Sequence, residues 1–238
     1  NTFGGAFGDN GTGATSLAKT GTGTWVLTGA NTYSGGTTIN GGTLLVNNTS
    51  GSGTGTGGVT INSGGTLGGT GTIAGIVTNK AGGTLSPGAS IGTLTLSGNV
   101  VLNAGSTNTF EVNGSTSAKD VIVLGAAVTY DGVLNIVTNG TFTVGQTFTL
   151  FSGAGATTAG NFASLVGSPG AGKAFSFTNG VLSVVSTGPT LTSVSPNPVT
   201  GSSYPVTLGL TGSGFAGATA VLLTNLTAAT GTSYSPTV

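Results

Sequence analysis

In the stretch GSPGAGKAF, residues 167–175, Gly167, Gly172 and Lys173 have the spacing G-x-x-x-x-G-K of a phosphate-binding loop. Such a loop works when backbone N–H groups at a helix start cradle the phosphates and a Ser or Thr after the Lys holds Mg²⁺. Here Ala174 follows the Lys, no carboxylate lies nearby, and the next residues, AFSFTNGVLSVV, alternate like two strands. The stretch is read as a surface turn that leaves Lys173 in solvent, and no nucleotide or other cofactor is expected. Gly53, Gly55 and Gly58 match G-x-G-x-x-G, but SGSGTGTGG has no helix after it and reads as a flexible loop.

Acid–base chemistry would have to come from Asp9, Glu111, Asp120 and Asp131. Glycoside hydrolases hold two carboxyl groups about 5–10 Å apart across a groove. Sequence spacing leaves a pairing between neighbouring coils of the chain open. Against it, the chain has no Arg, His or Cys to hold a sugar acid or raise a catalytic pKa. Lys119 next to Asp120 suggests a surface ion pair. A Ser–His triad is impossible without His, and without Cys there is neither a disulfide framework nor a thiolate metal site. Asp9 and Asn10 in FGDNGTG could face a cation, yet one carboxylate makes a poor calcium site, and an Asx-type turn is the simpler reading. Trp25 and Tyr33 could stack on sugar; packing between coils is simpler. No catalytic, cofactor-binding or metal-ligating residue is assigned, and the chain is read as a non-enzyme.

The elements that would have to position these groups are short strands. With four basic and four acidic residues in 238, the net charge is zero, so nothing draws the chain to nucleic acid or an anionic membrane. No apolar run approaches the ~20 residues of a membrane span. Hydrophobic residues make up 36%, too many for a disordered chain, and the 48 Gly follow no collagen period. This describes an ordered all-β protein rich in turns. The chain opens at Asn1 with no signal peptide or initiator Met, as a processed or partial product would.

Alternating runs such as TWVLT (24–28), TLLVN (43–47) and TLTLS (93–97) are each closed by Gly, Asn or Ser. GGTL recurs at 41–44, 64–67 and 82–85. A self-similar unit of about 20 residues is the mark of a solenoid, in which stacked units share one core. The expected fold is a right-handed parallel β-helix. Trp25, Leu27, Ile39, Leu44, Ile61, Leu67, Leu85, Leu94 and Leu96 should face inward. Roughly eight coils at ~4.8 Å make a rod on the order of 40 Å long.

GTGTWVLTGANTYSGGTTINGGTLLVNN (21–48) resembles the autotransporter-associated β-strand repeat, or passenger-associated transport repeat. The residues that carry the likeness are Trp25, Leu27, Gly29, Asn31, Tyr33, Gly35, Thr37, Ile39, Gly42, Thr43 and Leu44. Residues 82–114 and 119–137 resemble segments that follow such repeats in bacterial surface proteins. The resemblance, over about residues 21–187, implies a β-helix secreted or displayed at a bacterial cell surface.

The character changes at Gly188–Pro189, where the C-terminal part gathers five of the seven prolines. SVSPNP (193–198), VTLGLTGSGF (206–215) and Val221–Leu223 resemble the opening of an immunoglobulin-like domain of the type shared by plexins and cell-surface receptors. About 50 residues remain, fewer than both sheets of such a domain need. The expected division is a β-helix over 1–187, with 1–20 as an irregular lead-in, and a partial immunoglobulin-like module over 188–238.

The leading functional expectation is an extracellular structural protein, a surface stalk or a filament subunit that self-associates. Its rivals are an adhesin gripping a glycan or host protein and, third, a polysaccharide-degrading β-helix. An exposed aromatic ladder would favour the adhesin, and a carboxylate pair set in a groove the enzyme.

Overall fold

The structure is a computed structural model that describes residues 1–153 and 157–188, together with the strands 190–195, 209–213, 223–224 and 233–234. The chain divides into two units: Asn1–Pro169 with Phe175–Val184, and Gly170–Ala174 with Val185–Val238.

The first unit is a stack of coils whose strands fall into three parallel sheets. The longest sheet takes one strand from each of eight coils: β1 (Thr2–Phe3), β3 (Thr24–Leu27), β5 (Gly42–Val46), β7 (Gly65–Gly69), β10 (Thr84–Pro87), β13 (Thr107–Asn113), β16 (Val133–Asn139) and β20 (Ser164–Val166). The second holds β2 (Leu17–Lys19), β4 (Thr37–Ile39), β6 (Val59–Ile61), β9 (Val77–Asn79), β12 (Val100–Leu102), β15 (Val128–Tyr130) and β19 (Thr158–Gly160). The third holds β8 (Thr72–Ile73), β11 (Thr93–Leu96), β14 (Val121–Leu124) and β18 (Phe151–Ser152). Seven strand steps in the long sheet give a stack about 34 Å high at ~4.8 Å per step.

Register follows directly from the repeats. Trp25, Leu44, Leu67 and Leu85 stand side by side in one inward column, so the three GGTL copies lie directly above one another. Ile39 and Ile61 adjoin in the second sheet, as do Leu96 and Leu124 in the third. Because strand side chains alternate, a slip of one residue would turn every such column to solvent. Thr24, Thr43, Thr66, Thr84, Thr107, Val133 and Ser164 form an outward column. Its numbering gives coils of 18 residues (66 to 84) to 31 residues (133 to 164). Of the nine residues expected to face inward, all but Trp25 have no exposed surface; Trp25 packs on the core half-buried, near the end of the stack.

Two parts differ from expectation. Residues 1–20 are not merely an irregular lead-in: β1 pairs with β3 and β2 with β4, making a first coil with a long connection between its strands. In the last coil β17 (Thr147–Thr149) leaves the parallel pattern: it pairs antiparallel with β22 (Val181–Ser186), which lies between it and β21 (Lys173–Thr178) in a three-stranded sheet. Asn179 and Gly180, both with positive φ, turn β21 into β22, as the Asn-Gly pair of a tight hairpin does. Phe162, tilted, and Phe177, edge-on, pack against Tyr130 with ring centroids 5.1 and 5.3 Å away. Phe110 and Phe151, 5.0 Å apart, continue the cluster. Large rings replace the Leu and Ile columns at this end, where the coils hold the most residues.

In the second unit, β23 (Thr190–Ser195) pairs antiparallel with β24 (Gly209–Ser213), and β25 (Leu223–Thr224) with β26 (Ser233–Tyr234). Most of the residues that carry the immunoglobulin-like resemblance lie outside the described residues.

Candidate functional site

The motif residues are placed by the coils, and each meets its own surroundings. Lys173 is not on an exposed turn: it is the first residue of β21 and half-buried, because the turn ends at Gly172 and the strand begins at once. A strand rather than a helix follows the lysine, so the N–H cradle of a phosphate loop is not formed there. The Gly53–Gly58 tract is not a flexible loop. Gly53, Thr54 and Gly55 are buried, Gly53 N–H donates to Thr72 O at 2.8 Å, and Thr56 N–H to Tyr33 O at 2.9 Å. A Cβ on Gly55 would press into the Tyr33 carbonyl, so the glycine serves close stacking of two coils.

Asp9 is a turn residue. Its Oδ1 accepts the N–H of Thr15 at 2.8 Å and of Ser34 at 2.9 Å, tying the first coil to the second. Those bonds hold its pKa below the usual carboxylate value. Among the described residues, no group of three or more acidic, His or Cys side chains is assembled that could hold a metal ion.

Tyr33 is buried, and its hydroxyl is 2.6 Å from that of Thr37. Asn31 reaches both ways along the stack: Oδ1 accepts Phe7 N–H at 2.7 Å, and Nδ2 donates to Gly53 O at 2.6 Å. Trp25 faces inward, edge-on to Phe3 with ring centroids 5.3 Å apart. These positions of the repeat pattern therefore serve coil-to-coil fit, and neither Trp25 nor Tyr33 offers a sugar platform on the outer faces. At the N-terminal end, Phe3, Phe7, Leu17, Trp25 and Leu27 line an apolar hollow of about 210 Å³.

One group escaped the reading of the sequence. Lys19 is wholly buried at a coil corner, where Nζ donates to the carbonyls of Thr20 (2.9 Å), Gly21 (3.0 Å) and Gly41 (2.9 Å). It also stands 5.5 Å from the Trp25 ring centre. All three ammonium hydrogens are used, which is how a buried charge becomes tolerable. The only sequence signal is a lysine at an inward position of LAK, in the column of Ile39.

The structure brings Glu111 and Asp120 together, but not as a surface ion pair with Lys119. From Glu111 the chain runs out and returns through an antiparallel bridge of Val112 and Lys119, so Asp120 lands beside Glu111. Asp120 is 1% exposed; its Oδ1 accepts Gly92 N–H at 2.8 Å and its Oδ2 accepts Glu111 N–H at 2.7 Å. Burial pushes its pKa up to about 6 against the pull of those two donors, with a smaller upward push from the Glu111 charge. Glu111 points outward from β13, so the two carboxylates do not face one substrate.

Glu111 borders two surface hollows. A hollow of about 250 Å³ on the outer face of the long sheet is lined by Thr24, Thr43, Thr66 and Ser86, by residues 87–90, and by Glu111. A second, of about 240 Å³, is lined by Ile91, Glu111, Val137 and Asn139. Outward hydroxyls, a half-buried carboxylate and aliphatic side chains line these two hollows. They hold no second acid or base for catalysis.

Residues 17–46 match the Passenger-associated-transport-repeat family. The match covers β2 to β5, the segment in which Asn31, Tyr33 and Thr37 bind neighbouring coils. No curated protein matches the chain.

Proposed function

We propose that this protein is a non-enzymatic, extracellular structural component of a bacterial cell surface, a β-solenoid stalk whose copies associate end to end. The observation that carries this reading is the use of the distinctive side chains: Asp9, Lys19, Asn31 and Asp120 each bond to a neighbouring coil, and the buried Tyr33 hydroxyl is spent on Thr37 within its own coil. The passenger-type repeat supports secretion or surface display. Self-association is supported by the apolar hollow among Phe3, Phe7, Leu17, Trp25 and Leu27 and by a net charge of zero that removes long-range repulsion. The C-terminal unit is read as a partial immunoglobulin-like module, in keeping with its antiparallel pairs.

Size-exclusion chromatography with light scattering, and electron microscopy of the secreted product, test this. Filaments or a ladder of oligomers are expected. A monodisperse monomer at high micromolar concentration, with no fibres, removes end-to-end association and leaves a single stalk.

A further inference from the structure

Glu111 is the sole charged side chain lining either hollow on the outer face of the long sheet. Among the described residues, its carboxylate accepts no hydrogen bond. The two hollows touch residues of β3, β5, β7, β10, β13 and β16, so together they run along the stack for five strand steps, about 24 Å.

From these we propose that the outer face of the long sheet is a binding groove for a linear glycan bearing positively charged amino groups, with Glu111 as the charge-reading residue. Three features set the class. The ligand runs across the strands, so it meets Thr24, Thr43 and Thr66 at successive coils, one hydroxyl every ~4.8 Å. A chain of pyranose rings repeats close to that rise. An extended peptide repeats every ~3.3 Å and falls out of step. Second, the floor is the face of a sheet whose backbone groups are paired within it, so strand addition is unavailable to a peptide. Third, the lining offers hydroxyls for polar groups, and Leu45, Ile91 and Val137 for the C–H faces of sugar rings. A lone carboxylate repels uronic acids and sulfated sugars and attracts an ammonium group. This goes beyond the stalk reading and does not depend on it: a stalk without affinity for sugar would still stand.

Titration calorimetry on the whole chain, at mildly acidic pH where the amines are charged, tests the groove with four probes. These are a β-1,4-linked glucosamine tetramer, cellotetraose, tetragalacturonate and tetra-lysine. The glucosamine tetramer should bind about tenfold or more tightly than cellotetraose, with tetragalacturonate weakest. Glu111→Gln should erase the preference for the amino sugar. Thr43→Trp, which fills the groove from an outward position, should abolish binding of every sugar. The proposal is overturned if no sugar binds, if glucosamine and cellotetraose bind equally, if either folded variant binds as the parent does, or if tetra-lysine binds as tightly as the glucosamine tetramer.

Discussion

The backbone N–H of Glu111 donates to Oδ2 of Asp120 at 2.7 Å, and the N–H of Asp120 donates back to the Glu111 carbonyl at 2.9 Å. This reciprocal pair closes the excursion between them. The second oxygen of Asp120 holds Gly92, so one carboxylate fixes both the strand that presents Glu111 and the end of the loop beside it.

The burial of Asp120 has a pH signature. Its folded pKa of about 6 lies above the ordinary 3.8, so between those values the folded chain binds more protons than the unfolded chain. Stability should therefore fall as pH rises from about 4 to 6 and level off above, by roughly 3 kcal/mol. Asp9 is shifted downward and acts below this window. Denaturant unfolding across the range should show the decline in the parent and not in Asp120→Asn. An equal slope in both would assign the decline to other groups.

Lys19→Met should destabilise the first unit by about 2–4 kcal/mol, because three carbonyls lose a charged donor inside the fold. Lys80→Met provides a control substitution of the same kind elsewhere. Chemical denaturation reads the difference, and a loss no larger than the control's would contradict the caged arrangement.

Tyr130 carries a buried hydroxyl with no hydrogen-bond partner, and burial pushes its pKa up to about 12. Tyr130→Phe keeps the ring contacts with Phe151, Phe162 and Phe177 while removing that hydroxyl. It should leave stability unchanged or raise it by about 1 kcal/mol. A clear drop in Tm would mean that the hydroxyl is satisfied in solution.

ATP with Mg²⁺ should leave the melting temperature unchanged, since a strand follows Lys173. A ligand at 100 times its Kd would add ~2.7 kcal/mol of stability, enough to be seen readily. A reproducible shift would reopen the phosphate-loop reading.

The parts of this fold legible in the sequence are those written as repeats. GGTL at three positions set the column of Leu44, Leu67 and Leu85, and the repeat-like stretch 21–48 marked the coils around it. What stayed hidden depends on contacts between coils of unequal length. Lys19 reads as a surface charge until the column puts it in line with Ile39. Asp120 reads as the partner of Lys119, because sequence adjacency says nothing of the turn that brings it beside Glu111. The first coil was missed because β1 has two residues and thirteen separate it from β2, too few strand residues for alternation to register.

The inter-strand hydrogen bonds of the long sheet lie along the axis of the stack, because its strands cross that axis. A pull on the two ends of the first unit therefore loads those bonds in tension, and the coils peel away singly instead of shearing together. Each peeled coil frees 18 to 31 residues of chain, or roughly 60–110 Å of new length at ~3.5 Å per residue. The short middle coils and the long last ones would yield unequal steps. The first unit would then lengthen under load in graded steps, the short coils and the long ones each releasing its own length.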